Sequence, residues 1–401
     1  MELLAPAGGG EQLHMAVHFG ADAVYLAGRR WGMRARAENF SDEDLPAAIA
    51  YAHAHNVAVH VTLNVILTDT DFDDLPSYLH LLDDAGADAL IVADLGLLEL
   101  ARRHAPHVAL HLSTQANVMN AAAADAYARL GVSRIVLARE LSLSQIAELR
   151  RRCSRELELE AFAHGSMCMA YSGRCLLSAD LMGSERSASR GACAQPCRWG
   201  WSLVEDRMPE RPIGLEVDGR GSYLLSSNDL CMLDHLDDLA AAGVDSIKLE
   251  GRNKGGYYVA CVTSAYRHVL DGEPAAAWME ELNATSHRPY STGFYYGQPT
   301  QNPGRVDYAR ERSMVAVVEA CAPREDGHYD LTLRCRNKAR AGEPLQALSP
   351  HQPVRELRLS ALEHHDEASD TWLAAHEMAR AMDLYRCVSP IELSPLDLLC
   401  R

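Results

Sequence analysis

At 401 residues and 48% hydrophobic composition the chain can bury a large core, and the length suits one large domain followed by a small one. A formal net charge of −17 opposes generic adhesion to phosphate backbones, so an RNA substrate would need a local basic patch. The absence of any apolar run of about eighteen residues predicts no membrane span. The opening MELLAPAGGG lacks the basic start and apolar run of a secretory leader, which makes the cytoplasm the expected compartment and free or metal-bound thiols the expected state of the eleven Cys.

From the start, short β-branched or apolar runs alternate with Ala/Leu-rich stretches of helical period, the pattern of a parallel sheet built by successive crossovers. Eight such runs stand at 2–7, 21–27, 57–63, 87–93, 108–113, 133–138, 158–163 and 245–249. Four of them share one entry, FGADAVYLAG, AGADALIVAD, LGVSRIVLAR and AGVDSIKLEG, in which a Gly can end the preceding helix in the left-handed conformation. The count and size predict a TIM-like (β/α)₈ barrel over 1–275, with an open doubly wound sheet as the structural rival. In a barrel, polar residues that follow the strands converge at one mouth. Here these are Asn64, Asp94, Ser113 with Gln115, Arg139 with Glu140, His164, and Glu250 with Arg252.

Between the seventh and eighth runs lies a long insertion, 165–242, too large for an ordinary loop and therefore expected to be functional. Its middle, 199–226, reads as a β-hairpin that could fold over the mouth. Beyond it, 276–305 reads as a connector containing RPYSTGFYYGQP. The alternating runs MVAVVEA, HYDLTLR, VRELRLS and LYRCVS then predict a small antiparallel β domain over 306–401.

The insertion carries Cys168, Cys175, Cys193 and Cys197, spaced C-x6-C, seventeen residues, C-x3-C. This is neither the paired knuckles of structural zinc nor a ferredoxin run, and spacing alone leaves iron–sulfur, zinc and inert thiols open. Cys153, Cys261, Cys321, Cys335, Cys387 and Cys400 stand alone and read as small buried hydrophobes.

The segment EAFAHGSMCMAYSGRCLLS closely resembles the signature of the peptidase U32 family, and MRARAENFS, GACAQPCRW, SSNDLCML, GVDSIKLEGRNK, YYVACVTSAYR and RPYSTGFYYG resemble further family segments along nearly the whole chain. The family is collagenase-like by name, and its better characterised members are oxygen-independent hydroxylases. The resemblance implies a 4Fe-4S cluster on Cys168, Cys175, Cys193 and Cys197, with Cys231 of NDLCML as the alternative ligand. One branch hydroxylates the wobble uridine of tRNA at carbon five with prephenate as implied oxygen source. Another hydroxylates a cytidine of 23S rRNA, and a third acts as a heterodimer in ubiquinone synthesis. A barrel followed by one compact β domain is most similar to the tRNA branch, which implies tRNA as partner and leaves room for a second family subunit. A non-catalytic iron–sulfur subunit is the competing class. A protease is disfavoured by the lack of HExxH and GxSxG and by four grouped thiols in place of one.

Such chemistry needs an anion site for a carboxylated donor, for which Arg34, Arg36, Arg139 and Arg252 are the candidates, since Arg offers a planar fork matched to carboxylates. For Arg34 and Arg36 a plain salt bridge is the favoured reading. His164 could move a proton, Glu250 and Asp94 could serve as acid or base, and Asn64 and Gln115 could read a base edge or a donor carboxylate. Arg186, Arg190 and Arg198, with Trp199, Trp201, Tyr171 and Tyr223, form a candidate basic and aromatic RNA surface, and RCRNKAR offers another in the C-terminal domain.

Overall fold

In the computed structural model the described residues are 1–401 apart from 36, 168–176, 197–198, 200–201, 204–212, 215–227 and 298–311. Seven parallel strands follow in chain order: β1 (Glu2–Pro6), β2 (Ala23–Leu26), β3 (Ala58–Leu63), β4 (Ala89–Val92), β5 (Ala109–Leu112), β6 (Arg134–Val136) and β7 (Glu158–Ser166). Short pairs β8 (Ser202–Leu203) with β9 (Ile213–Gly214), antiparallel, come next, then β10 (Asp229–Cys231) and β11 (Ser246–Leu249). β11 pairs in parallel with both β7 and β1, and this closes an eight-stranded barrel. The open-sheet rival is thereby excluded.

Helices alternate with the strands: α1 (Gly10–His18), α2 (Leu45–Ala54), α3 (Leu75–Asp84), α4 (Leu95–His104), α5 (Ala121–Arg129) and α6 (Leu143–Arg152), then α7 (Leu177–Met182) in the insertion and α8 (Leu236–Ala241) before β11. Gly20, Gly86, Gly131 and Gly243, the four repeated entry glycines, have φ of +92°, +76°, +92° and +87°. Each ends its helix in a conformation that costs a side-chain-bearing residue strain, so the repeat seen in the sequence is a repeated helix stop. After β11, α9 (Gly256–Leu270) packs against both α1 and α10 (Ala275–Ala284).

Two additions lie beyond the eight predicted runs. β10 pairs antiparallel with the end of β7, in the register Asp229↔Ser166, Leu230↔Gly165 and Cys231↔His164, and β12 (Tyr290–Ser291) pairs with β10. Both are too short to show a period in the sequence. The stretch expected as a connector holds most of α10 and β12. Of the expected hairpin, β8 and β9 pair as Ser202↔Gly214 and Leu203↔Ile213, and the remainder lies largely outside the described residues.

The C-terminal part is a separate antiparallel sheet of eight strands: β13 (Met314–Pro323), β14 (Tyr329–Cys335), β16 (Pro344–Leu348), β17 (Arg355–Arg358), β18 (Ser360–Asp366), β19 (Thr371–Ala374), β21 (Leu384–Ser389) and β22 (Leu398–Cys400), with β15 (Ala339–Arg340) and β20 (Glu377–Met378) as a small pair beside it. Its own core gathers Val315, Leu331, Leu333, Tyr385 and Leu399. Its other face is continuous with the barrel core through Val317, Leu348, Leu398 and Cys400, and Asp397 Oδ1 lies 3.0 Å from His18 Nε2 on α1. No helix among the described residues is long and apolar enough to cross a membrane.

Candidate active site at the barrel mouth

Alternation along the parallel strands aims every second side chain at the barrel axis, and at the carboxyl ends these side chains meet in one cavity. Its lining includes Tyr25, Arg34, Thr62, Asn64, Ser113, Gln115, Arg139, Phe162, Lys248, Glu250 and Arg252. Seven of the residues singled out from the sequence are thus brought together: Arg34, Asn64, Ser113, Gln115, Arg139, Glu250 and Arg252.

Electrostatics organise the cavity. Arg34 donates to Glu250 Oε1 from Nη2 at 2.9 Å and from Nε at 3.1 Å. Arg252 is 3% exposed and donates from Nη1 to Thr62 Oγ1 at 3.1 Å, and burial brings its guanidinium down to about 10. Arg139 donates to Ser166 O at 3.0 Å, with its guanidinium carbon 3.8 Å from the Phe162 ring centroid. Asn64 accepts from Met33 N at 3.2 Å and donates to Ser113 Oγ at 3.4 Å, while Ser113 Oγ also accepts from Gln115 N at 3.3 Å. The result is three guanidinium groups and one carboxylate around a recess floored by Tyr25, Phe162 and Lys248.

Other candidates fall elsewhere. Asp94 does not line the cavity and caps α4, accepting from Gly96 N at 2.8 Å and Leu97 N at 3.1 Å, which accounts for its place after β4. His164 is 1% exposed and does not line the cavity. Its ring lies among those of Tyr258, Tyr266 and Tyr290, with Nδ1 3.3 Å from Tyr266 Oη, and burial drives its pKa down to about 3. Such an imidazole stays neutral across the physiological range. Arg36, Cys168, Cys175, Cys197, Arg198, Trp201, Tyr171 and Tyr223 lie outside the described residues.

Cys193 is partly exposed, and its sulfur accepts from Gln195 N at 3.3 Å. Local bonds fix this segment: Ala194 N donates to Ser178 Oγ at 2.8 Å, Ser178 Oγ to Arg186 O at 2.6 Å, and Arg186 Nε to Ala192 O at 2.9 Å. Gly191, at φ +79°, presses on the loop before Arg34 so closely that a Cβ there would lie 2.8 Å from Gly32 O and from the Met33 carbonyl carbon. Arg190 reaches across to Asp71 and to Ile66 O, the latter at 2.6 Å. Arg186 and Arg190, read from the sequence as RNA contacts, therefore bind their own chain. Trp199 remains 42% exposed. Cys231 is buried, with Tyr266 Oη 3.9 Å from its sulfur, and burial pushes its thiol up to about 11.

Below the mouth the barrel axis is polar. Lys248 Nζ lies 2.9 Å from Glu160 Oε1, and Arg134 binds Glu2 at 3.0 Å, Glu158 at 2.7 Å and Glu160 at 3.5 Å. His60 and His111 stand edge to face with centroids 4.7 Å apart. Lys248 and Arg34 are the mouth residues that sequence reasoning undervalued. For Lys248 no local signal was available, because the sequence of β11 alone does not say which of its faces meets the axis.

The sequence profile of peptidase family U32 matches residues 8–304. The chain belongs to peptidase family U32. Within the family, the chain is 35% identical over 357 residues to tRNA hydroxylation protein P1 of Bacillus subtilis, covering 87% of this chain and 83% of that protein. It is 31% identical to tRNA hydroxylation protein P of Escherichia coli, over 92% of this chain and 89% of that one. A third U32 relative, a 23S rRNA 5-hydroxycytidine synthase of Escherichia coli, is 39% identical over 68% of this chain but only 39% of its own length.

Proposed function

We propose that this chain is an RNA hydroxylase that converts the wobble uridine of tRNA to 5-hydroxyuridine without O₂, using prephenate as oxygen source and a 4Fe-4S cluster as redox centre. The observation that carries the reading is the mouth itself, where three arginines and Glu250 surround a recess beside the docked Cys193 segment, in a chain whose long matches are to proteins named for tRNA hydroxylation. Nearly full coverage of those relatives favours tRNA over 23S rRNA, whose synthase extends well beyond the match.

In this reading Cys168, Cys175, Cys193 and Cys197 hold the cluster, and Cys231 is the substitute ligand. The fit is supported at Cys193, where a backbone N–H already points at the sulfur as it does toward cluster thiolates. When bound, the cluster supplies one-electron chemistry beside the base. Arg34, Arg139 and Arg252 orient a donor carboxylate through charge-assisted bonds. Glu250, released from Arg34 by that carboxylate, moves a proton at the reacting centre. Gln115 and Asn64 supply amide donors and acceptors to the base edge, and exposed Trp199 offers a stacking face for an extruded base.

Purification without oxygen is expected to give a coloured protein with about four irons per chain, and Cys175→Ala is expected to lose both colour and tRNA modification. Nucleosides from a deletion strain should lack wobble 5-hydroxyuridine derivatives. Unchanged levels of these with a missing hydroxycytidine in 23S rRNA would transfer the assignment to the ribosomal substrate.

A further inference from the structure

The sequence contains only three lysines, Lys248, Lys254 and Lys338, among 38 basic residues. Lys338 is exposed and pairs with Glu377 at 3.0 Å, and Lys254 donates to Ser286 O at 2.8 Å. Lys248 alone of the three lies on the barrel axis and lines the floor of the mouth. It is 4% exposed, its Nζ lying 4.1 Å from the Tyr25 ring centroid and 5.9 Å from that of Phe162. A chain this rich in arginine has a lysine where a cation meets the ligand cavity, and what separates the two side chains chemically is that an amine can lose its proton and attack a carbonyl, while a guanidinium cannot.

The surroundings favour that chemistry. Burial lowers the Lys248 pKa, the nearby charges of Arg134 and Arg252 add to this, and Glu160 opposes it. Glu160 Oε1, at 2.9 Å, is placed to take the ammonium proton. A desolvated lysine next to other cations is a recognised route to a nucleophilic amine. The same cavity presents Arg34, Arg139 and Arg252, so a carbonyl compound held there would carry a carboxylate.

We propose that Lys248 captures a small 2-oxo carboxylic acid at the barrel mouth as an imine. Lys248 passes a proton to Glu160, and its nitrogen lone pair forms a bond to the 2-oxo carbon while the carbonyl π pair moves to oxygen and takes up a proton from nitrogen. The nitrogen pair then forms the C=N bond as the hydroxyl leaves with the proton returned by Glu160. One ammonium and one ketone give one iminium and one water, with no change in oxidation state. The acid's carboxylate takes the fork of Arg139 or that of Arg34, and in the second case Glu250 is freed at the rim. This capture goes beyond the hydroxylation reading and does not depend on RNA, on the cysteines or on iron.

The test is trapping on the full chain. Incubation with pyruvate followed by sodium borohydride, which adds hydride to C=N and fixes it as a secondary amine, is expected to give one adduct per chain, saturable in pyruvate, on the peptide that contains Lys248. Lys254 and Lys338 serve as internal controls, so the site is read from the wild-type protein without any variant. Lys248→Arg should abolish the adduct, Arg139→Met should raise the half-saturating pyruvate about tenfold, and acetone, which lacks the carboxylate, should label far more weakly. No adduct, an adduct spread over the three lysines according to exposure, or equal labelling by acetone and pyruvate would each overturn the proposal. Loss of tRNA hydroxylation with intact trapping, or the reverse, separates this capture from the reaction proposed above.

Discussion

Arg190 holds Asp71 through both guanidinium nitrogens, Nη1 at 2.9 Å from Oδ2 and Nη2 at 3.1 Å from Oδ1. Asp71 also accepts from Trp31 Nε1 at 3.1 Å and from Thr68 N at 2.7 Å, and these donors, with the Arg190 bond foremost, hold its carboxyl well below the usual range. The fork thus joins three pieces far apart in sequence: the cysteine segment, the loop after β3 and the loop after β2. With Gly191 seated on Gly32 and Met33, it sets where Cys193 stands relative to the mouth.

Loss of this fork is expected to loosen the segment more than the barrel. The pair is partly exposed, so Arg190→Met should cost no more than about 1 kcal/mol of global stability. Hydrogen exchange in the peptide spanning 186–196 should rise several-fold while peptides from β1 to β5 stay unchanged. Arg190→Lys keeps the charge without the fork and should fall between. Exchange in 186–196 that is indifferent to all three side chains would remove the clamp from the account.

Asp94 supplies the opposite kind of prediction. As the N-cap of α4 it satisfies two backbone N–H groups, and Asp94→Ala should destabilise the fold by about 1 kcal/mol. RNA hydroxylation per folded molecule should be unchanged, and Asp94→Ser should recover most of the stability. A variant that melts like the wild type but lacks activity would return Asp94 to the list of acids and bases.

The barrel was legible because its signals are local. Gly20, Gly86, Gly131 and Gly243 mark helix ends, and Val59, Val61 and Leu63 mark a strand whose outward face is packed under helices. What escaped was set by long-range geometry. His164 was expected to end the seventh strand and face the mouth, but β7 continues to Ser166, and the register opposite shifts between Lys248 and Leu249. The side chain consequently packs against Tyr258 and Tyr266 of α9, some hundred residues later in the chain. Lys248 was hidden for a different reason. In a strand sequence, a lysine that faces the axis and one that faces solvent look the same until closure of the barrel fixes which is which.

At the mouth, Glu250 can be tested apart from its partner. Glu250→Gln keeps an acceptor for Arg34 but cannot exchange protons, so an anchoring role predicts near-normal turnover and a proton-transfer role predicts a loss of about 10²-fold or more in kcat. The second outcome is expected, with KM for the carboxylated donor changed far less. Arg34→Met should show the reverse split, raising KM before lowering kcat.

The polar barrel axis makes stability depend on pH in a defined window. Burial lowers the His60 pKa from its ordinary 6.5 to about 4, with Glu2 and Glu160 opposing and Arg134 and Lys248 reinforcing the shift, and its neighbour His111 lies well below the ordinary value for the same first cause. The folded value is below the unfolded one, so protonation favours unfolding. His60's contribution is complete above about 6.5 and is lost as pH falls through that value toward 4. Between pH 7.5 and 5 the loss from His60 alone should be about 2 kcal/mol. Urea unfolding at those two pH values should show it, and His60→Gln should flatten the difference by that amount while leaving the share of His111. An equal pH dependence in wild type and His60→Gln would mean that the imidazole is hydrated in the folded barrel, and that the axis below the mouth is open to water.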